Sequence, residues 1–233
     1  RTIGLDLLAV LPGEVEELDI SRPHRVELNS TLKQMLIRMI ENMEVLITSG
    51  SLTHPEVTAL LRTLRSWCSQ GLSLSTMASE HPTVLHFVVD CLSSNDTQCM
   101  RESTGLICDM VLIGEYPRPT IRDQTIRWLI TGIVGIQQPN SGLAQLINDP
   151  DVDEDALNEI CSSISLLAEK EVSYIVSTEG YVPEFIELML TLASVRPCKI
   201  ALHTFDFWLA LEDVAPSDRS PYMDEEVFRR LVM

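Results

Sequence analysis

A recurring apolar stripe of helical period, broken by polar joints, constrains this chain more than any other feature. Residues 28–47 place Leu28, Leu32, Met35/Leu36, Met39/Ile40, Met43 and Leu46/Ile47 in one line. Steps of three and four residues bring these side chains onto one face of an α-helix. After SGSLTHPE, Val57, Leu60/Leu61, Leu64 and Trp67/Cys68 repeat the pattern. Pro55 falls in the first turn, where its missing N–H costs nothing. Residues 82–112, PTVLHFVVDCLSSNDTQCMRESTGLICDMVL, hold two such segments joined by SSNDT. They could be half of a closed bundle, the wall of a pocket, or one tile of an array.

The order of segments favours the tile. Helix, short turn, helix and longer link recur at about 40 residues, near the HEAT/armadillo period. Hairpins are expected at 1–49, 55–79, 82–113, 118–178 and 182–212, with another starting at 223–233. One hairpin cannot cover both faces of its stripe, and stacking on the next covers them. The fold class expected is therefore all-α: a HEAT/armadillo-like solenoid of about five helical hairpins in one array over 1–233. Within the 82–113 tile, Pro82 leads the first helix, Asp96 lies in the turn, and Met100 and Arg101 open the second. Ser103, Thr104 and Gly105 then mark where the two helices should approach closely. Both ends, TIGLDLLAVL and DEEVFRRLVM, read as helix interiors, so the chain is expected to be a fragment truncated at both ends. Uncapped apolar repeat ends would favour self-association.

Composition narrows the function. No apolar run nears the roughly 20 residues that cross a bilayer, so a membrane span is not expected. The formal net charge of −17 opposes direct nucleic-acid binding, which needs a basic face. It suits a basic partner, or solubility alone. Cys68, Cys91, Cys99, Cys108, Cys161 and Cys198 form no CxxC pair and mostly fall on apolar stripes, where a thiol behaves as a small hydrophobe. Neither a disulfide framework nor a zinc site is expected, and a reducing compartment is. The five histidines, His24, His54, His81, His86 and His203, form no HExxH. Phosphate loops of the GxxxxGK[ST] and GxGxxG kinds and the GxSxG elbow are absent. The reading is a non-enzymatic chain without cofactor or metal.

The densest charge is DPDVDEDALNE, with Asp149, Asp151, Asp153, Glu154, Asp155 and Glu159. It reads either as a patch for a basic partner or as carboxylates set at a helix N-terminus. An EF-hand lacks its Gly turn and terminal Glu here. Arg101 could contact a partner or join a ladder between repeats, with Asp90 or Glu102 as its acid. Trp67, Trp128, Phe205 and Trp208 are expected in the core between repeats rather than in a ligand box. Phe205 and Phe207, two positions apart, cannot share one helix face.

Three stretches carry a family resemblance in collinear order. LDLLAVLPGEVEE (5–17) resembles a helix ending in "LTVLPEEV", TLRSWCSQGLSL (63–74) a helix end with Trp67 on the family's SW position, and LHTFDFWLALEDV (202–214) a helix matched by Phe205, Phe207 and Trp208. The pattern is similar to the importin-β (karyopherin-β) superfamily, in the branch of importin 13 and transportin-SR. Gly13 stands where that branch has an acidic residue, and SRPHRVELN has no close match. The resemblance implies a right-handed α-α superhelix covering the receptor's fourth through eighth repeats. It implies protein cargo, of basic or SR type, carried between cytoplasm and nucleus. Further implied partners are the GTPase Ran, bound mainly by the whole receptor's N-terminal repeats, and FG-repeat nucleoporins. The alternative is a HEAT-repeat scaffold subunit of a non-transport complex.

Overall fold

The structure, a computed structural model, describes residues 2–113, 119–136, 142–149, 151–177, 182–195 and 198–223, with 227 and 229. All regular elements among them are helical. They run α1 (Thr2–Glu17), α2 (Arg22–Thr48), α3 (His54–Ser66), α4 (Leu74–Glu80), α5 (Pro82–Asp90), α6 (Thr97–Ile113), α7 (Pro119–Gly135), α8 (Gly142–Asn148), α9 (Glu154–Lys170), α10 (Val172–Ser177), α11 (Val182–Ala193), α12 (Cys198–Leu202) and α13 (Thr204–Glu212). Short 3₁₀ turns lie at Trp67–Gln70, Cys91–Ser93 and Pro216–Asp218. Most of the hairpin start expected at 223–233, and the side chain of Cys198, lie outside the described residues. The chain divides into two compact units. One holds residues 1–91 and 105–125, the other 92–104 and 126–233.

In the first unit the starts of α3 and α4 are fixed by side-chain caps. Thr53 precedes α3, and the Glu56 carboxylate accepts from the Thr53 backbone N–H at 2.9 Å and its hydroxyl at 2.8 Å, fixing the first turn. Pro55 sits in that turn, as expected. Ser73 Oγ accepts from the Thr76 N–H at 3.2 Å to open α4. After α3 the chain tightens into the 67–70 turn and stops at Gly71, whose φ of 99° is open to glycine and strained for other residues. The stripe of α2 buries Leu32, Leu36, Met39, Ile40 and Met43. That helix starts at Arg22, so Pro23 and His24 belong to its first turn.

The first two helices pack on helices further along the chain rather than on each other. α1 packs most extensively on α3, and α2 on α5 and the 67–70 turn. Leu60, Leu61 and Leu64 of α3 are fully buried, each worth about 1.5–3 kcal/mol relative to exposure. Pro12 lies inside α1, where a proline cannot bond the carbonyl four residues back, that of Leu8. The indole N–H of Trp67 donates to that carbonyl at 2.8 Å. The single proton of the Thr63 hydroxyl is shared between the Ala59 carbonyl of its own helix at 2.7 Å and the Leu5 carbonyl of α1 at 3.0 Å, one turn earlier. The vacancy left by Pro12 thus becomes a tie between α1 and the end of α3.

The second unit centres on α9, packed against α13 and α12, with α10 against α11 and α13. α9 buries Leu157, Ile160, Cys161, Ile164 and Leu167. α11 is buried nearly all round, at Val182, Phe185, Ile186, Leu188, Met189, Leu190 and Leu192. Phe207 meets Phe185 edge-on at 6.1 Å and Trp208 at 5.0 Å, the favoured aromatic arrangement. Single-residue breaks at Glu171 and His203 separate α9 from α10 and α12 from α13, while the apolar stripe runs on through each. Arg219, in the APSDRSPY joint, donates to the carbonyls of Leu211 (2.9 Å) and Val214 (2.8 Å) and so closes the end of α13. The Ser220 N–H bonds the Val176 carbonyl at 2.7 Å, and the Tyr222 hydroxyl bonds Glu187 at 3.2 Å.

Candidate partner-binding surface

The acidic run separates into carboxylates with local tasks and carboxylates without. Asp153 is the N-cap of α9, its Oδ1 accepting from the N–H groups of Asp155 at 3.1 Å and Ala156 at 3.3 Å. Asp149 Oδ1 accepts from the Asp151 N–H at 2.9 Å and shapes the preceding turn. Glu154 faces Lys199 of α12 at 3.2 Å, with both side chains about half exposed. Glu159 is bonded by the Nε of Arg101. Asp151 and Asp155 are exposed. Within this run, Asp151 and Asp155 are the carboxylates left for an external base. Helix chemistry uses part of the charge rather than all of it.

Arg101 therefore acts within the unit, tying α6 to α9. The acid is Glu159, and neither Asp90 nor Glu102 fills the expected place. Glu102 is buried and accepts from Gln98 at 2.8 Å, while exposed Asp90 closes α5. The pair is about a third exposed on the arginine side and a quarter on the glutamate side. The close approach at Gly105 also has a different author: a Cβ there would collide with the guanidinium of Arg65 from α3. Arg65 is held by Asp109 at 3.0 Å, so the small residue makes room for an ion pair. Ser103 and Thr104 turn inward, their hydroxyls donating to the Met100 carbonyl at 3.0 and 2.7 Å.

The aromatic residues sort by helix face. Trp67, Phe207 and Trp208 are buried, and Trp128 is half-buried. Phe205 is 53 % exposed, so the core position expected for it is corrected: the inward member of the pair is Phe207. Leu202, Phe205 and Leu209 form an exposed apolar stripe along α12 and α13. Ile3, Leu7 and Val10 form another on α1.

Cys68, Cys91, Cys99, Cys108 and Cys161 are buried thiols. Burial pushes the Cys68 thiol up to about 12, with Asp109 adding to the rise and Arg65 opposing it. Burial alone pushes Cys161 up to about 12. Such thiols are weak nucleophiles and poor metal ligands at neutral pH. Among the described residues, no group of three or more His, Cys, Asp or Glu side chains could hold a metal ion. No helix among them is long and apolar enough to cross a membrane. His203 Nε2 lies 3.0 Å from Asn158 Oδ1, and His81 Nδ1 lies 3.5 Å from Glu44. Both are part-buried links between helices.

Sequence reasoning missed a polar cavity of about 330 Å³ in the first unit, walled by the end of α1, the first half of α2 and the 69–71 segment. Arg25, Asn29 and Lys33 line it at intervals of four residues. That spacing on α2 was legible, but the opposing wall comes from residues some 40 positions away. Neither a protein-family model nor a curated protein matches the chain.

Proposed function

We propose that this chain is a protein-interaction segment of a nuclear transport receptor of the importin-β type, in the importin 13/transportin-SR branch. Its helices form part of a HEAT-like superhelix that carries protein cargo between cytoplasm and nucleus under the control of Ran. FG-repeat nucleoporins are its contacts in the pore. The observation that carries the reading is the tie between two of the resembling stretches. LDLLAVLPGEVEE holds a proline inside a helix, and TLRSWCSQGLSL holds the tryptophan whose N–H reaches the carbonyl that proline leaves unserved. The two stretches thus work as one device, and their joint occurrence in the receptor pattern has a physical reason. Packing of α1 on α3 is a contact between successive expected hairpins, and it supports the reading. Exposed Asp151 and Asp155, with the overall charge of −17, favour a basic cargo.

The test is retrieval of bound proteins by the endogenous protein that contains this sequence, tagged in its own cells. Lysates are treated with GTP-locked Ran or with GDP-bound Ran. Cargo that is released by the GTP form, or retained only in its presence, is the expected result. Retention that ignores the nucleotide state would leave a HEAT scaffold as the better reading.

A further inference from the structure

The first unit carries a small basic groove in an acidic protein. Two cations, Arg25 and Lys33, and the Asn29 amide project from one face of α2 at four-residue steps. Arg25 is fixed by its own bonds, Nη1 to the Glu16 carbonyl at 3.3 Å and Nη2 to the Leu18 carbonyl at 2.6 Å. It therefore closes the end of α1 while leaving part of its fork toward the cavity. Lys33 has no ion-pair partner among the described residues, and the Asn29 amide has no hydrogen-bond partner among them. The facing wall is Ser69 and the bare backbone of Gly71, with Glu16 at the rim. The Ser69 hydroxyl accepts weakly from Gln70 at 3.3 Å.

We infer that this groove binds one carboxylate side chain, Asp or Glu, of a partner polypeptide. Charge sets the class. Two cations and the Glu16 carboxylate leave the walls one positive charge in excess, which a single carboxylate neutralises. A phosphate dianion would leave excess negative charge beside Glu16. A polyanion would meet the repulsion of a chain with net charge −17 within a Debye length of about 8–10 Å. With two N–H groups spent on carbonyls, Arg25 offers the ligand a single contact rather than a full fork. Lys33 supplies a point charge, Asn29 a neutral donor, and Glu16 an acceptor for the N–H of the peptide that brings the acid. A volume of about 330 Å³ admits such a side chain with its flanking backbone. This site does not depend on the transport reading and would serve a scaffold equally.

The experiment titrates the ¹⁵N-labelled full chain with acetyl-Ala-Gly-Glu-Gly-Ala-amide and with its Gln and phosphoserine counterparts, following the Asn29 side-chain and Gly71 backbone signals. The Glu peptide is expected to bind at least tenfold more tightly than the isosteric Gln peptide and more tightly than the phosphoserine peptide. Lys33→Glu should abolish the Glu-over-Gln preference. Arg38→Glu, at an exposed base on a different face of the same helix, should change it less than twofold. Equal binding of the Glu and Gln peptides, or equal loss in the two variants, would overturn the inference. A stronger phosphoserine peptide, or acetate reproducing the shifts at the same concentration, would overturn the carboxylate or the peptide part respectively.

Discussion

Replacing Trp67 by Phe tests whether the proline in α1 and the tryptophan after α3 form one device. Trp67 is fully buried, and its N–H serves the Leu8 carbonyl that Pro12 cannot. Removing the donor strands a carbonyl acceptor, at about 1–3 kcal/mol. Leu8 is half-buried, so the lower half of that range applies. The smaller ring adds about 1 kcal/mol of lost burial. Trp67→Phe should therefore cost about 2–3 kcal/mol. In a Pro12→Ala background the alanine N–H can bond Leu8 within the helix, and the stranded-acceptor part disappears. The same Trp67→Phe change should then cost about 1–2 kcal/mol less. Urea unfolding followed by circular dichroism at 222 nm gives all four corners of the cycle without relying on tryptophan fluorescence. Equal costs in the two backgrounds, within about 0.5 kcal/mol, would refute the coupling.

Three further outcomes follow from the structure. Asp153→Ala should destabilise by about 1 kcal/mol through loss of the α9 cap, while Asp151→Ala changes stability by less than about 0.5 kcal/mol; thermal melts of the two variants check the contrast. A double-mutant cycle on Arg101 and Glu159 (Arg101→Met, Glu159→Gln) should give a coupling of about 1 kcal/mol that shrinks in high salt, because the pair is partly exposed. Cys68 and Cys161 stay protonated in the folded chain up to about pH 12, whereas their unfolded value is 9.0. Between those limits the unfolded state releases protons that the folded state keeps, so their stabilising effect, complete below pH 9, is lost as pH rises toward 12. Each thiol should add a slope of about −1.4 kcal/mol per pH unit in that window. Denaturation at stepped pH, compared with the Cys68→Ala/Cys161→Ala chain, measures it.

Helices with a long stripe were legible because burial follows a period a sequence displays. Leu32, Leu36, Met39, Ile40 and Met43 are one such case, and Leu60, Leu61 and Leu64 another. Pro55 and Pro82 marked helix starts for the reason that places proline in a first turn. The breaks at Glu171 and His203 interrupt the helices without interrupting the stripe, so periodicity passed over them. The two-residue offset of Phe205 and Phe207 showed that their faces differ but not which one is inward. That choice is made by Phe185, about 20 residues earlier in the chain. Long-range partners lay outside reach altogether. Arg101 finds Glu159 across 58 residues, and Trp67 finds Leu8 across 59, because packing brings together helices that no local pattern pairs. The groove shares that origin, since only half of its wall belongs to α2.

The most direct measurement of the transport reading is nuclear entry in permeabilised cells. The full protein containing this chain is purified, labelled with a fluorophore, and added without any other receptor. Accumulation at the nuclear rim and passage into the nucleus, faster than an inert protein of equal size, is the expected result. Exclusion from nuclei at the rate of the inert protein would contradict the account.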